Sequence, residues 1–160
     1  MTFDQRAFRD TLGCFATGVC VAAATGPGGH DVGLTINSFT SVSLDPPLVL
    51  FCLDNRSESL AAFLLSGGFS LAILGAEQQA VSRNFASGPS EGRWNGMPAE
   101  RWESGAPIVP GALAVMDCAR HAVHEGGDHM IIVGRVLRFA SRAGTPLLYY
   151  RGTYAALEAE

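Results

Sequence analysis

The chain contains no lysine; all eleven of its basic residues are arginine. A Walker A phosphate loop and a Schiff-base enzyme are thereby excluded, since each needs a lysine amine. No Gly-x-Gly-x-x-Gly run occurs, which argues against a Rossmann nucleotide site. The four cysteines, Cys14, Cys20, Cys52 and Cys118, lack Cys-x-x-Cys spacing and are too sparse for a disulfide framework. They read as reduced, mostly buried thiols. Apolar runs are strand-sized, well short of the roughly 20 residues that cross a bilayer. Met1 to Arg6 are too polar for the apolar stretch of a secretory signal. Excess positive charge is missing as well. The net charge is −4 and no basic stripe with interleaved aromatics appears, so nucleic acid is not an expected partner. The expectation is a cytoplasmic protein that engages neither membrane nor nucleic acid.

What the chain does have is apolar content: 48% of its 160 residues are hydrophobic and 16% charged. That balance predicts a single globular domain over 1–160 with a core large enough to need no disulfide or metal. Residues 4–16 have the periodicity of a short amphipathic helix, with Phe8, Leu12 and Phe15 on one side. Strands are expected at 17–24, 32–39, 48–53, 69–74, 113–124, 130–139 and 147–150, punctuated by Gly26-Pro27-Gly28-Gly29, Asp45-Pro46-Pro47 and Gly126-Gly127. Helices are expected at 57–65 and 77–85. Residues 86–106 form a long glycine- and proline-rich segment holding both tryptophans, Trp94 and Trp102. It reads equally as a lid or as a surface excursion held down by two rings. Many short strands with few helices predict a mainly β fold, a barrel or sandwich with helices packed outside.

The densest run of short polar groups is Gly33 to Pro47. On a continuous strand Thr35, Asn37, Ser41 and Ser43 would share one face, with Leu34 and Ile36 on the other. Alternation alone describes a half-exposed strand. So many small hydroxyl and amide groups would also let a flat heteroaromatic ring lie against the backbone. Cys118, His121, His124 and His129 lie close in sequence, but on a strand 118 and 124 share parity while 121 points away, so one face cannot gather them around zinc. A serine hydrolase, which would need a Gly-x-Ser-x-Gly nucleophile elbow, is not read here.

Thr35-Ile36-Asn37-Ser38, followed by Ser41-Val42-Ser43 and Pro46-Pro47, resembles the flavin-binding signature of the flavin reductase-like family, the short-chain NAD(P)H:flavin oxidoreductases. Further blocks agree in order: Phe15-Ala16-Thr17-Gly18-Val19, Asn84-Phe85-Ala86, Gly127-Asp128-His129, and Pro146 to Tyr150 with Gly152-Thr153-Tyr154. Thr153 stands where the family often has lysine. The likeness spans about Phe8 to Tyr154.

The resemblance implies a split β-barrel of the Greek-key, FMN-binding type with flanking short helices, assembled as a homodimer with flavin near the interface. It implies that Thr35, Ile36, Asn37 and Ser38 bond the flavin ring and ribityl chain, largely through backbone groups, and that Ser41, Val42 and Ser43 line the ring edge. Cys52, Leu53, Asp54, Arg56, Ser57 and Ser59 would hold the phosphate, where a helix start also offers free N–H groups to an anion. Ser57 reads equally as a helix cap. Arg83 and Asn84 would reach the same phosphate or an adenylate, Phe85 would line the site or the core, and Tyr150 belongs to the C-terminal block. His129 would position the nicotinamide rather than act as an acid, because hydride passes directly between two rings. The implied reaction is reduction of FAD or FMN by NADH or NADPH, with reduced flavin passed to a separate flavin-dependent monooxygenase. The alternatives are a different oxidoreductase on the same barrel, or a flavin- or heme-binding module without turnover, with His121 and His124 as heme ligands.

Overall fold

In the computed structural model, which describes residues 3–157, helix α1 (Gln5–Leu12) begins where Asp4 can cap it. The Asp4 carboxylate accepts from the Arg6 and Ala7 amides at 2.9 and 3.1 Å, satisfying two donors the first turn leaves free. The helix ends at Gly13, earlier than the periodicity over 4–16 predicts, because Cys14 and Phe15 bond back to Thr11 and Leu12 in tighter turns. None of its residues is buried.

The chain then lays down β1 (Thr17–Gly18), β2 (Cys20–Thr25) and β3 (Asp31–Ile36), the last two joined through the glycine turn. After three residues come β4 (Thr40–Leu44) and β5 (Pro47–Asp54), then α2 (Leu60–Leu65), β6 (Gly68–Ile73) and α3 (Gln79–Ala86). Short β7 (Glu100–Arg101) and β8 (Pro107–Ile108) precede two long strands, β9 (Ala114–Gly126) and β10 (His129–Ser141), and β11 (Leu148–Tyr150) and β12 (Thr153–Ala155) finish the fold. Helix α2 is two-thirds the length expected, since 57–59 form a turn ahead of it. The predicted strand 32–39 is broken at Asn37, and β4, β7, β8 and β12 were not anticipated.

Seven strands form one antiparallel sheet in the order β3-β2-β6-β9-β10-β5-β4. Its two edge strands, β3 and β4, are joined by only Asn37, Ser38 and Phe39. A link of that length reaches at most about 14 Å. Flat, the same edges would stand roughly 29 Å apart at normal strand spacing. The sheet must therefore curl until its edges nearly meet, which makes a barrel split along the β3–β4 seam.

Strand β2 shows how the two sides are filled. Cys20, Ala22 and Ala24 face the barrel interior, where Phe51 packs edge to face on Phe63 and Phe69 with centroids 5.4 and 5.2 Å apart. Val19 and Val21 face outward into a second cluster with Leu74, Phe85, Ile108 and Val109. Burial on both faces explains why this strand lacks polar alternation. Trp94, Met97 and Trp102 pack on the outer cluster, so segment 86–106 is a strap rather than a loose lid. Ser104 fastens it, donating from its amide at 2.9 Å and from its hydroxyl to the fully buried Asp117 carboxylate.

Candidate functional site

Ser38 is where the seam is stitched. The β4–β5 ladder pairs Thr40 with Leu50 and Ser41 with Val49, so Ser38 falls opposite Cys52. There the side chain does the pairing: Ser38 Oγ accepts from the Cys52 amide at 2.9 Å and donates to the Cys52 carbonyl at 3.1 Å. No backbone hydrogen bond of Asn37, Ser38 or Phe39 occurs among the described turns and loops, and the Asn37 side chain is exposed without a partner. The chain thus offers main-chain donors and acceptors and one amide side chain along an open edge.

A cleft of about 390 Å³ opens at this edge. Thr35, Ile36, Asn37 and Ser38 form one wall, with Cys52, Leu53, Asp54 and Ser57 facing them from β5 and the turn that follows. Phe85 closes the floor, and His129 stands at the mouth. Thr35 is not free on its side chain, since its hydroxyl donates to the Ser82 carbonyl at 2.7 Å and ties β3 to α3. Phe85 is 1% exposed and stacks edge-on against Trp94 at 4.9 Å, so it serves core and cleft together. Its ring lies so near β3 that a Cβ on Gly33 would come within 2.7 Å of it; only glycine fits.

At the mouth, His129 pairs across the strands with Asp54. His129 Nδ1 lies 2.7 Å from Asp128 Oδ1, which leaves Nε2 unengaged. Asp54 is gripped by Arg56 through Nε and Nη2 at 3.2 and 2.9 Å and through the Arg56 amide at 2.8 Å. Those bonds hold the Asp54 carboxyl well below the usual carboxylate range. Burial pushes the Cys52 thiol up.

The remaining expected site residues lie outside the cleft. Ser41 and Val42 are exposed on β4, Ser43 is half-buried there, and the expected shared face from Thr35 to Ser43 is lost because the chain bends at Asn37 and the β4–β5 register shifts between Ser41 and Ser43. Arg56 points into solvent with its guanidinium on Asp54. Ser59 is buried under the start of α2, its amide on the Ser57 hydroxyl at 3.3 Å. Arg83 lies on the far side of α3, bonded to Gln79 at 2.9 Å and 5.7 Å above the Tyr154 ring. Asn84 donates to the Arg93 carbonyl at 2.7 Å, and Tyr150 is exposed beneath Arg151.

Leu34, Ala86 and Arg93 line the cleft without having been expected there. Arg93 comes from the strap, bonding the Gly33 and Gly88 carbonyls at 2.8 and 2.7 Å. Its one sequence signal was an arginine beside a tryptophan in a glycine-rich segment. The same strap holds Gly88-Pro89-Ser90-Glu91-Gly92, which does spell Gly-x-Ser-x-Gly. It follows a helix instead of joining strand to helix, and Ser90 bonds Glu58 at 3.3 Å, so no nucleophile elbow forms. His121 and His124 are exposed on β9 while Cys118 is buried, and among the described residues no three metal-ligating groups converge.

A split antiparallel barrel with a ring-sized cleft at its seam is the architecture of flavin-handling oxidoreductases, and the comparisons agree. Residues 12–158 match the family described as flavin reductase like domain. The chain is 44% identical over 152 residues to the FMN reductase (NADH) SmoA of Agrobacterium fabrum, covering 94% of this chain and 85% of that protein. Its fold superposes with a TM-score of 0.91 on a nitrilotriacetate monooxygenase component B from Mycobacterium thermoresistibile, 42% identical, covering 97% and 87% of the two chains. The NADH:FAD oxidoreductase SgcE6 of Streptomyces globisporus superposes at 0.92 with 34% identity, covering 100% and 98%. The chain belongs to the flavin reductase-like family.

Proposed function

We propose that this protein is an NADH-dependent flavin reductase that delivers reduced FAD or FMN to a separate monooxygenase. The observation that carries the reading is the Ser38–Cys52 stitch, which leaves the backbone from Asn37 to Phe39 unpaired beside the cleft. A planar ring edge rich in carbonyl and N–H groups suits that open edge. Thr35 to Ser38 hold the ring, and Ser57 with the turn after β5 meets the phosphate. Flavin bound there supplies the two-electron acceptor. NADH gives up a hydride, a proton is taken from solvent, and NAD⁺ and reduced flavin result.

His129 orients the nicotinamide. With Nδ1 engaged by Asp128, its Nε2 is left to meet a carboxamide at the mouth. No protein acid is needed, so the chain contributes position and exclusion of water. The cleft is open along the seam, in keeping with a flavin that must leave once reduced.

The protein also acts as a homodimer. Support comes from apolar side chains left in solvent: Phe15 is 79% exposed, Leu44 95% and Phe139 76%, with Phe8 and Leu12 exposed on α1. So much exposed apolar surface is unusual for a monomer and matches an interface between copies. Four free cysteines fit a reducing compartment, the cytoplasm.

Anaerobic absorbance at 340 and 450 nm, with each flavin and each nicotinamide, tests the activity directly. Absence of NADH consumption with both flavins would end the proposal. Asn37→Trp should fill the open edge and abolish flavin binding while the fold survives.

A further inference from the structure

Two walls of the cleft depend on where α3 sits. On β3, Thr35 pairs with Val21 of the outer cluster, so Thr35 and Gly33, two residues apart, both turn towards α3. On α3, Ser82 and Phe85 are three residues apart and share a side of the helix. The two pairs interlock. The Phe85 ring fills the space over Gly33, and the Ser82 carbonyl accepts from the Thr35 hydroxyl at 2.7 Å. The position of α3 on β3 therefore sets the Phe85 floor and the Thr35 wall together.

Ser82 is bonded from a second direction as well. It is fully buried, and its hydroxyl shares a 2.8 Å hydrogen bond with the Tyr154 hydroxyl on β12. Strand β3 belongs to the seven-stranded sheet and β12 to the three-stranded one, so α3 is tied to both sheets through one residue. Among the described residues no other hydrogen bond joins α3 to the three-stranded sheet. The Tyr154 ring is held in its turn by Tyr149, edge to face at 5.7 Å, and by the Arg83 guanidinium 5.7 Å over it. Tyr154 does not line the cleft. Apolar burial is non-directional and tolerates sliding, whereas a hydrogen bond weakens steeply away from its preferred angle. The directional bonds at Ser82 thus fix what the apolar packing of α3 leaves free.

We propose that Tyr154 is a positioning residue for the flavin. Acting through Ser82, its hydroxyl fixes the depth of the Phe85 floor and the placement of the Thr35 wall against which the ring lies. A gap of roughly 0.5–1 Å already forfeits a quarter to a half of a van der Waals contact, so a small slide of α3 is felt by the ring. The inference deepens the flavin reductase reading and rests on it.

Tyr154→Phe keeps the ring with its Tyr149 and Arg83 contacts and removes the hydroxyl alone. Titration with FAD and with FMN should show affinity weakened about three- to ten-fold, the range of one lost hydrogen bond. The visible circular dichroism of the bound flavin should change too, since it reports the surroundings of the ring. Ser82→Ala breaks the same bond from the helix side and should match Y154F in both readouts; should Y154F not fold, S82A carries the comparison. The double variant should bind no more weakly than either single one, because both remove one link. A residue that merely stabilises the fold would lower the melting temperature and leave affinity and dichroism unmoved well below the melt. That pattern, or losses that add in the double variant, overturns the proposal while leaving flavin in the cleft. Wild-type protein that binds neither flavin would instead sink the flavin reading, and this inference with it.

Discussion

The hydroxyl of Ser38 occupies the rung that a backbone amide and carbonyl would fill opposite Cys52, accepting at 2.9 Å and donating at 3.1 Å. One side chain thereby extends the β4–β5 ladder into the seam while leaving its own main chain unpaired. Ser38→Ala should lower the free energy of urea unfolding by about 1–2 kcal/mol, because the Cys52 amide loses its partner. Flavin affinity should fall in the same variant, read by fluorescence quenching. Unchanged stability and affinity would show the stitch to be incidental.

Gly33 and Phe85 touch in a way that admits no side chain between them, with 2.7 Å left for a Cβ. Gly33→Ala should cost about 1–3 kcal/mol by overpacking. It should also displace the ring from the cleft floor. Thermal melts and flavin titration check both effects together.

Much of this fold was legible from residues whose pattern reports burial or turning. The tandem prolines at 46–47 and the glycines at 26–29 and 126–127 placed the turns, and the apolar runs placed most of the strands. The Thr35–Ser38 segment was legible as unusual for a strand because of its dense small polar side chains, and it does line the seam cleft. What stayed hidden was set by long-range contacts. Whether Asn37 continues a strand depends on β3 and β4 joining opposite edges of a curled sheet, which local periodicity does not encode. Arg93 reaches the cleft because the strap packs back on the sheet, where its guanidinium bonds the Gly33 carbonyl sixty residues earlier in the chain. Arg83 and Arg56 have the right chemistry for phosphate, yet Tyr154 with Gln79, and Asp54, hold them elsewhere.

His129→Ala should raise the KM for NADH by about ten-fold with a smaller change in kcat, the signature of lost positioning. Flavin affinity should move less than that KM. A collapse of kcat at saturating NADH would instead mark His129 as a participant in proton transfer.

Asp117 is fully buried and has Ser104 as its partner. Asp117→Ala should cost about 1–3 kcal/mol and free residues 86–106. Limited proteolysis should then cut within that segment faster than in the wild type. Equal cutting rates would show that Trp94 and Trp102 suffice to hold it.

Burial pushes the Cys20 and Cys118 thiols up to about 12, from an ordinary 9.0. The neutral thiols are favoured in the fold, so their stabilisation is full below about pH 9 and declines as the pH rises towards 12. Urea midpoints should fall across that window, and less steeply in a Cys20→Ala, Cys118→Ala double variant. Iodoacetamide at pH 8 should modify exposed Cys14 in the native protein and reach Cys20 and Cys118 only in denaturant.

The three-residue link between β3 and β4 makes the seven strands behave like the staves of a hoop. A slip of one stave cannot be absorbed at a free margin, because the two margins are tied to each other. Lengthening the link by a few glycines should therefore slacken the whole hoop, broadening amide exchange in strands as distant as β9, where an equal insertion in an ordinary surface turn would be felt only locally.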